Sequence, residues 1–296
     1  MKTISFGTAY RKPVVLALGF FDSMHVGHQH LIAKAKELSV ARGCETAIFT
    51  FCNNPSVFFR PTKLVYTLEE RLERMQQFGV DVVFSALFDE TFKNKTAQEF
   101  LQDLSQYCVQ ALVCGFDYTF GKGAEGTVGT LRDYAKQNGI ALYVLPEVLF
   151  YGQKAGSTLV KKLIQAGEME KASELLGGDY FLSGTVEHGR AIGRTMGLPT
   201  ANLSRNDEKQ YPAAGVYAGT ASVDGQTYRC VINVGPKPTF AESSETIEAH
   251  LIGFEGNLYG KKIRLYFHRK LREIRRFASA EALEAQILQD ISEAQK

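Results

Sequence analysis

Along the first half of the chain, short apolar runs alternate with longer segments whose apolar positions recur every three or four residues. The runs VVLALGF, TAIFTF, DVVFSAL, QALVCGF and ALYVLPE have the length and the β-branched content of buried strands. Between them HQHLIAKAKELSVARG, TLEERLERMQQFG, AQEFLQDLSQYC and TVGTLRDYAKQNG carry helical spacing. Repeated strand–helix units predict a Rossmann-like α/β domain, a parallel sheet with helices on both faces. Ligands of such sheets collect at the carboxyl ends of the strands.

The pattern changes near Ser157. STLVKKLIQAGEMEKASELLGG reads as two consecutive helices, the second stopped by Gly177-Gly178. Beyond it come short Gly-, Thr- and Val-rich runs: YFLSGTVEHG, GVYAGTASVDGQTYRCVINVG, TIEAHLIGF and KKIRLYFHRKL. Asp224-Gly225 between two alternating runs predicts a hairpin, and the even spacing predicts a compact antiparallel β-barrel. A terminal helix follows, with Ser279 as N-cap and Leu283, Ile287 and Ile291 on one stripe. The expected domains are residues 1–180 and 181–296.

Composition narrows the setting. A net charge of +2 gives no reason to expect nucleic-acid or membrane binding. No apolar run is long enough to span a bilayer, and the N-terminus lacks the features of a leader. Five cysteines without C-x-x-C spacing argue against a disulfide framework or a zinc site, so a reducing cytoplasm is the expected location.

Two stretches carry candidate chemistry. GFFDSMHVGH, from Gly19 to His28, sits where the first strand turns into a helix. Gly19 allows close approach of a ligand to the backbone, and His25 and His28 can both face the free N–H groups of the helix start. Two imidazoles there can donate to phosphate oxygens that gain charge as a phosphoryl bond breaks. Gly121-Lys122 has neither the spacing nor the Ser/Thr of a P-loop. GFDYTFGKGAEG is read as a flexible substrate-covering loop, with a plain connector rich in turn residues as the alternative. The second stretch, GTVEHGRAIGRTMGLPTANL, offers Gly189 and Gly193 for backbone approach to a phosphate. Its turn at Pro199 presents Thr200 and Asn202, whose oxygens suit a magnesium ion and its nucleotide. Glu248, with Thr246 and His250 on its face by alternation, is a candidate base for a substrate hydroxyl.

Together these segments resemble the bifunctional riboflavin kinase/FAD synthetase family of bacteria over nearly the whole length. GRAIGRTMGLPTANL, GVYAG, the Pro-Thr-Phe at 238–240, EAHL and LYGKKI look like riboflavin kinase motifs. G-x-F-D-x-x-H-x-G-H resembles the nucleotidyltransferase signature, although Phe20 and Ser23 stand where the family usually has Asn and Gly. The resemblance implies ATP and Mg2+ as cofactors, riboflavin and FMN as small-molecule substrates, and FAD as final product. It assigns ATP and magnesium contacts to Gly19, Phe21, Asp22, Ser157, Thr158, Lys161, Gly189, Gly193, Thr200 and Asn202. Flavin contacts fall on Asp117, Phe120, Arg275 and Phe277; the catalytic roles fall on Glu248, His28 and His25. The family's T-F-x-P-H-P appears as TFCNNP, an Arg of its glycine loop is missing after Gly123, and Lys161 replaces an Arg, keeping the charge but not the bidentate fork. These departures leave two alternatives open: a chain with one working half, and a flavin-binding regulator without turnover.

Overall fold

The computed structural model describes residues 1–188, 200–236 and 245–296, which divide into two compact units, Met1–Ser157 and Thr158–Lys296. In the first unit six parallel strands lie in the order β1-β4-β3-β2-β5-β6. They are β1 (Lys2–Ser5), β2 (Val14–Leu18), β3 (Glu45–Phe51), β4 (Val82–Ala86), β5 (Val109–Gly115) and β6 (Ala141–Leu145). Every residue of β2 is buried because both faces of this central strand are covered. Val15 and Ala17 pack with Leu31, Ile32, Ala35 and Leu38 of α1 (Val26–Arg42) and Met75 of α2 (Leu68–Gln77). Val14, Leu16 and Leu18 share the opposite cluster with Phe100 and Leu101 of α4 (Ala97–Leu104) and Leu131 of α5 (Val128–Gln137).

The five expected strands and four expected helices are present. β1 and the short α3 (Glu90–Asn94) were not expected. β1 is an exposed edge strand of four residues, KTIS, too short to show a period. Because β2 is flanked by β3 on one side and β5 on the other, chain connections leave in opposite directions there. A crevice at the carboxyl ends of the strands is the consequence.

Near the end of the first unit β7 (Leu149–Phe150) and β8 (Gln153–Lys154) form a two-stranded antiparallel pair. The second unit takes in α6 (Ser157–Ala166) from Thr158 onward and α7 (Met169–Leu176), the latter closed by Gly177 in the left-handed conformation. Six antiparallel strands then close a barrel in the order β10-β13-β12-β11-β14-β9. They are β9 (Tyr180–Glu187), β10 (Ala201–Leu203), β11 (Gly215–Val223), β12 (Gln226–Pro236), β13 (Glu245–Leu251) and β14 (Lys262–Arg272). Asp224 and Gly225, with φ of 48° and 79°, form the hairpin turn between β11 and β12. Gly219 sits beside a register shift against β14, where a Cβ would lie 2.1 Å from the Tyr266 carbonyl oxygen. Closing the barrel at that corner requires glycine.

The terminal helix α8 (Ala280–Gln295) is capped by Ser279, whose hydroxyl accepts from the Ala282 N–H. Leu283, Ile287 and Ile291 are half-buried, and Ile291 and Ala294 join Val216, Ala218 and Val231 on the outer barrel wall. The most buried polar group on this helix is Asp290. It takes three bonds of 2.8 to 3.1 Å from the Arg272 guanidinium on β14. Arg269 donates to the Glu293 carbonyl at 2.7 Å, where the helix leaves its last carbonyls unpaired.

Candidate active sites

In the first unit the segment Gly19–His25 joins β2 to α1 at the crevice. Phe21 and Met24 hold φ of 55° and 51°, left-handed values for residues that disfavour them, and both are fully buried. Strain of this kind persists where surrounding packing over-determines it, commonly at ligand sites. His25 is the N-cap of α1: its Nδ1 accepts the His28 N–H at 3.3 Å. That bond places the proton of the neutral imidazole on Nε2, free to donate outward. The two rings stack with centroids 3.8 Å apart, and Phe21 lies under His28 at 5.0 Å.

Burial, reinforced by nearby Lys154, pulls the His25 pKa down to about 4, with Asp117 opposing. Burial, then His25, then Arg71 push His28 well below the ordinary histidine range. Both rings are therefore neutral donors near neutral pH. The buried Nδ1 of His28 has no hydrogen-bond partner among the described residues.

Arg71 was not singled out from the sequence, and its side chain is fully buried behind the signature. Its guanidinium donates to the carbonyls of Phe20 and Phe51, each at 2.9 Å, and to the Thr50 hydroxyl at 3.0 Å. It lies 4.8 Å from the Phe20 ring, so the phenylalanine in the family's asparagine position is a platform for this cation. Burial lowers the Arg71 pKa to about 10, against the favourable field of Asp22. The signal was available: Leu68, Arg71, Leu72 and Met75 follow helical spacing, with a charge at a core position.

Several expected contacts take other places. Phe21 and Asp22 are inside the protein, and Asp22 Oδ1 accepts the Val65 N–H at 2.9 Å, so both shape the turn from beneath. Phe120 is buried against Phe100, with centroids 5.2 Å apart, and pairs its backbone with Gly126. The loop expected to be flexible is tied at its base: Lys122 N–H donates to the Lys95 carbonyl at 2.7 Å, and Glu125 accepts the Ala97 N–H at 2.7 Å. Asp117, on the open side, forms an ion pair with Lys154, whose ammonium lies over the Phe116 ring. The Ser157 hydroxyl stands 3.0 Å from that of Ser23. Thr158 and Lys161 follow on α6 in the second unit, Thr158 exposed and Lys161 half-buried.

The TFCNNP stretch has its own internal logic. Asn53 exchanges two 2.8 Å bonds with the Phe88 backbone, and buried Asn54 binds Ser56 and the Thr62 carbonyl. The substituted residues thus fold the loop that carries exposed Phe59. A cavity of about 590 Å3 opens at the ends of β1, β3 and β4, between Phe6, Cys52, Leu87 and Phe92.

In the second unit the site is built by strand register. Asn202 pairs with Glu248, and Glu248 pairs with Asn233, so three polar side chains form one row across β10, β13 and β12. Their sequence neighbours Ala201, Leu203, Ile247, Ala249, Ile232 and Val234 are buried, which places the row on the outer wall. Thr246 and His250 share that face with Glu248, and Thr200 precedes Asn202 by two residues. Threonine and asparagine oxygens are hard donors that fit a magnesium–nucleotide. Among the described residues no group of three acidic, histidine or cysteine side chains is placed to hold a metal ion. Gly189, Gly193 and the Pro-Thr-Phe at 238–240 lie outside the described residues. Arg275 and Phe277 stack on each other at 5.0 Å in the segment leading to α8.

Comparison with known proteins agrees with this division. The FAD synthetase family matches residues 8–159 and the riboflavin kinase family matches residues 176–296. The bifunctional riboflavin kinase/FMN adenylyltransferase of Bacillus subtilis is 36% identical over 95% of this chain and 91% of its own length. That of Escherichia coli K12 is 33% identical over 93% and 90%. A crystal structure of a protein from Streptococcus pneumoniae, described as a macrolide-efflux protein, superposes with a TM-score of 0.91 at 28% identity, covering 99% of this chain and 98% of its own. No described helix here is long and apolar enough to cross a membrane. With both family matches in order and relatives aligned almost end to end, the chain belongs to the bifunctional riboflavin kinase/FMN adenylyltransferase family.

Proposed function

We propose that the chain converts riboflavin to FMN in its barrel unit and FMN to FAD in its α/β unit, each at the expense of ATP. The observation that carries the reading is the register that sets Glu248 directly beside Asn202 on one face of the barrel. Glu248 accepts the proton of the terminal ribityl hydroxyl as that oxygen bonds to the γ-phosphorus of ATP, and ADP leaves. Thr200 and Asn202 would hold magnesium with the nucleotide, and the ion would neutralise charge on the triphosphate. Arg275 and Phe277 border the flavin.

In the α/β unit a phosphate oxygen of FMN attacks the α-phosphorus of ATP and pyrophosphate leaves. His28 and His25, neutral and preorganised, donate N–H groups to oxygens that gain charge in the transition state. The turn after Gly19 and the hydroxyl of Ser157 line the nucleotide side. On the other side Asp117 and exposed Phe59 flank the flavin.

Incubation of the purified chain with riboflavin, ATP and magnesium, followed by separation of the flavins, tests the reading. FMN and FAD together are expected. FMN alone would leave a riboflavin kinase with a derived partner unit, and neither product would leave a flavin-binding regulator.

A further inference from the structure

Asn233 on β12 stands directly opposite Glu248, on the side away from Asn202. Opposed side chains of neighbouring strands have Cβ atoms about 5 Å apart, so the Asn233 amide reaches whatever Glu248 reaches. It is half-buried and makes no hydrogen bond among the described residues, leaving donor and acceptor available. Two residues on, buried Gly235 pairs with Thr246; a Cβ there would sit 3.7 and 3.9 Å from the Asn233 amide atoms. The Asn233 amide therefore lies over Gly235, on the same face as Thr246 and Glu248.

We propose that Asn233 contacts the polyol chain of riboflavin and aims its terminal hydroxyl at Glu248. The inference rests on the kinase reading above. The acceptor hydroxyl must approach Glu248 from the side opposite the phosphoryl donor, and Thr200 and Asn202 occupy the donor side. The Asn233 amide is neutral and both donates and accepts, the complement of a chain of hydroxyls rather than of a phosphate. An amide bound to a neighbouring hydroxyl fixes the rotation of the chain, so its value lies in orientation as well as affinity.

The test compares wild type with Asn233→Ala, using riboflavin as substrate and lumiflavin, the same ring system with a methyl group in place of the polyol, as competitive inhibitor. Asn233→Ala is expected to lower kcat/KM for riboflavin about ten-fold, with the KM for ATP and inhibition by lumiflavin unchanged. A lesion of the barrel itself would weaken both flavins together. Unchanged kcat/KM for riboflavin, or equal losses for riboflavin and lumiflavin, would overturn the role of Asn233. A wild-type chain that forms no FMN would overturn the kinase reading itself, and the role of Asn233 with it.

Discussion

The stacked histidines make the α/β unit sensitive to acid in a way that can be measured. His25 titrates near 6.5 when unfolded and near 4 in the folded protein, chiefly because it is buried. A histidine whose pKa is depressed by folding binds its proton more readily in the unfolded chain. Its contribution is therefore fully present above the unfolded value and is lost as pH falls from about 6.5 to about 4. At 1.36 kcal/mol per unit the full loss is about 3 kcal/mol, of which about 2 kcal/mol is lost between about pH 7 and pH 5. His28 is shifted in the same direction and adds to the slope. The perturbation is His25→Asn. Asparagine is a good N-cap and keeps an acceptor for the His28 N–H, so the helix start is retained while the titrating group is removed. Pulse proteolysis across a urea series, read on peptides from residues 1–157, reports the stability of this unit at each pH. The variant is expected to lose markedly less stability than wild type on acidification, and its shallower slope is the readout. Equal slopes in the two proteins would refute the claim that His25 is buried in its neutral form.

Three further perturbations probe separate parts of the molecule. Glu248→Gln is expected to slow FMN formation by about two to four orders of magnitude, with adenylylation of supplied FMN continuing; undiminished phosphorylation in a coupled ADP assay would remove Glu248 from the role of base. His28→Ala is expected to cut pyrophosphate release from ATP and FMN by about two to three orders of magnitude, with far less effect on FMN affinity; a loss confined to FMN binding would contradict transition-state donation. Asp290→Ala strands the Arg272 guanidinium beneath α8 and is expected to destabilise the barrel unit by about 3 kcal/mol, read as an earlier urea midpoint for its peptides.

Where burial follows periodicity, the sequence was readable. The strands of the α/β unit are apolar because both faces of the sheet are covered, and the helices between them carry their stripes openly. The Asp224-Gly225 hairpin and the Ser279 cap were legible because each depends on local chemistry. β1 was not legible: four residues at an open edge gain their place from pairing with β4, about eighty residues away in sequence. The tie at the base of the 115–126 loop was hidden for the same reason, since Lys95, Ala97 and Phe100 hold it from another element. A run rich in turn residues discloses that the chain bends, not whether the bend is anchored.

Residue types marked the candidate sites, and register decided which of those residues meet. Alternation alone put Glu248 on a face with Thr246 and His250, but nothing local says that Asn202 and Asn233 arrive on either side of it. Their alignment depends on β10 and β12 both pairing with β13, and a slip of one residue in either strand would turn its asparagine into the barrel interior. Burial of Ala201, Leu203, Ile232 and Val234 opposes that slip, because an asparagine in their place would lose its hydrogen bonds to water inside an apolar core. The apolar neighbours of the polar row thus act on the chemistry at one remove. The same relation holds in the other unit, where buried Phe21, Asp22 and Arg71 fix the turn that His25 and His28 share. In both units the candidate site residues are few and were marked by their type, whereas the buried groups that aim them become visible only once the chain is folded.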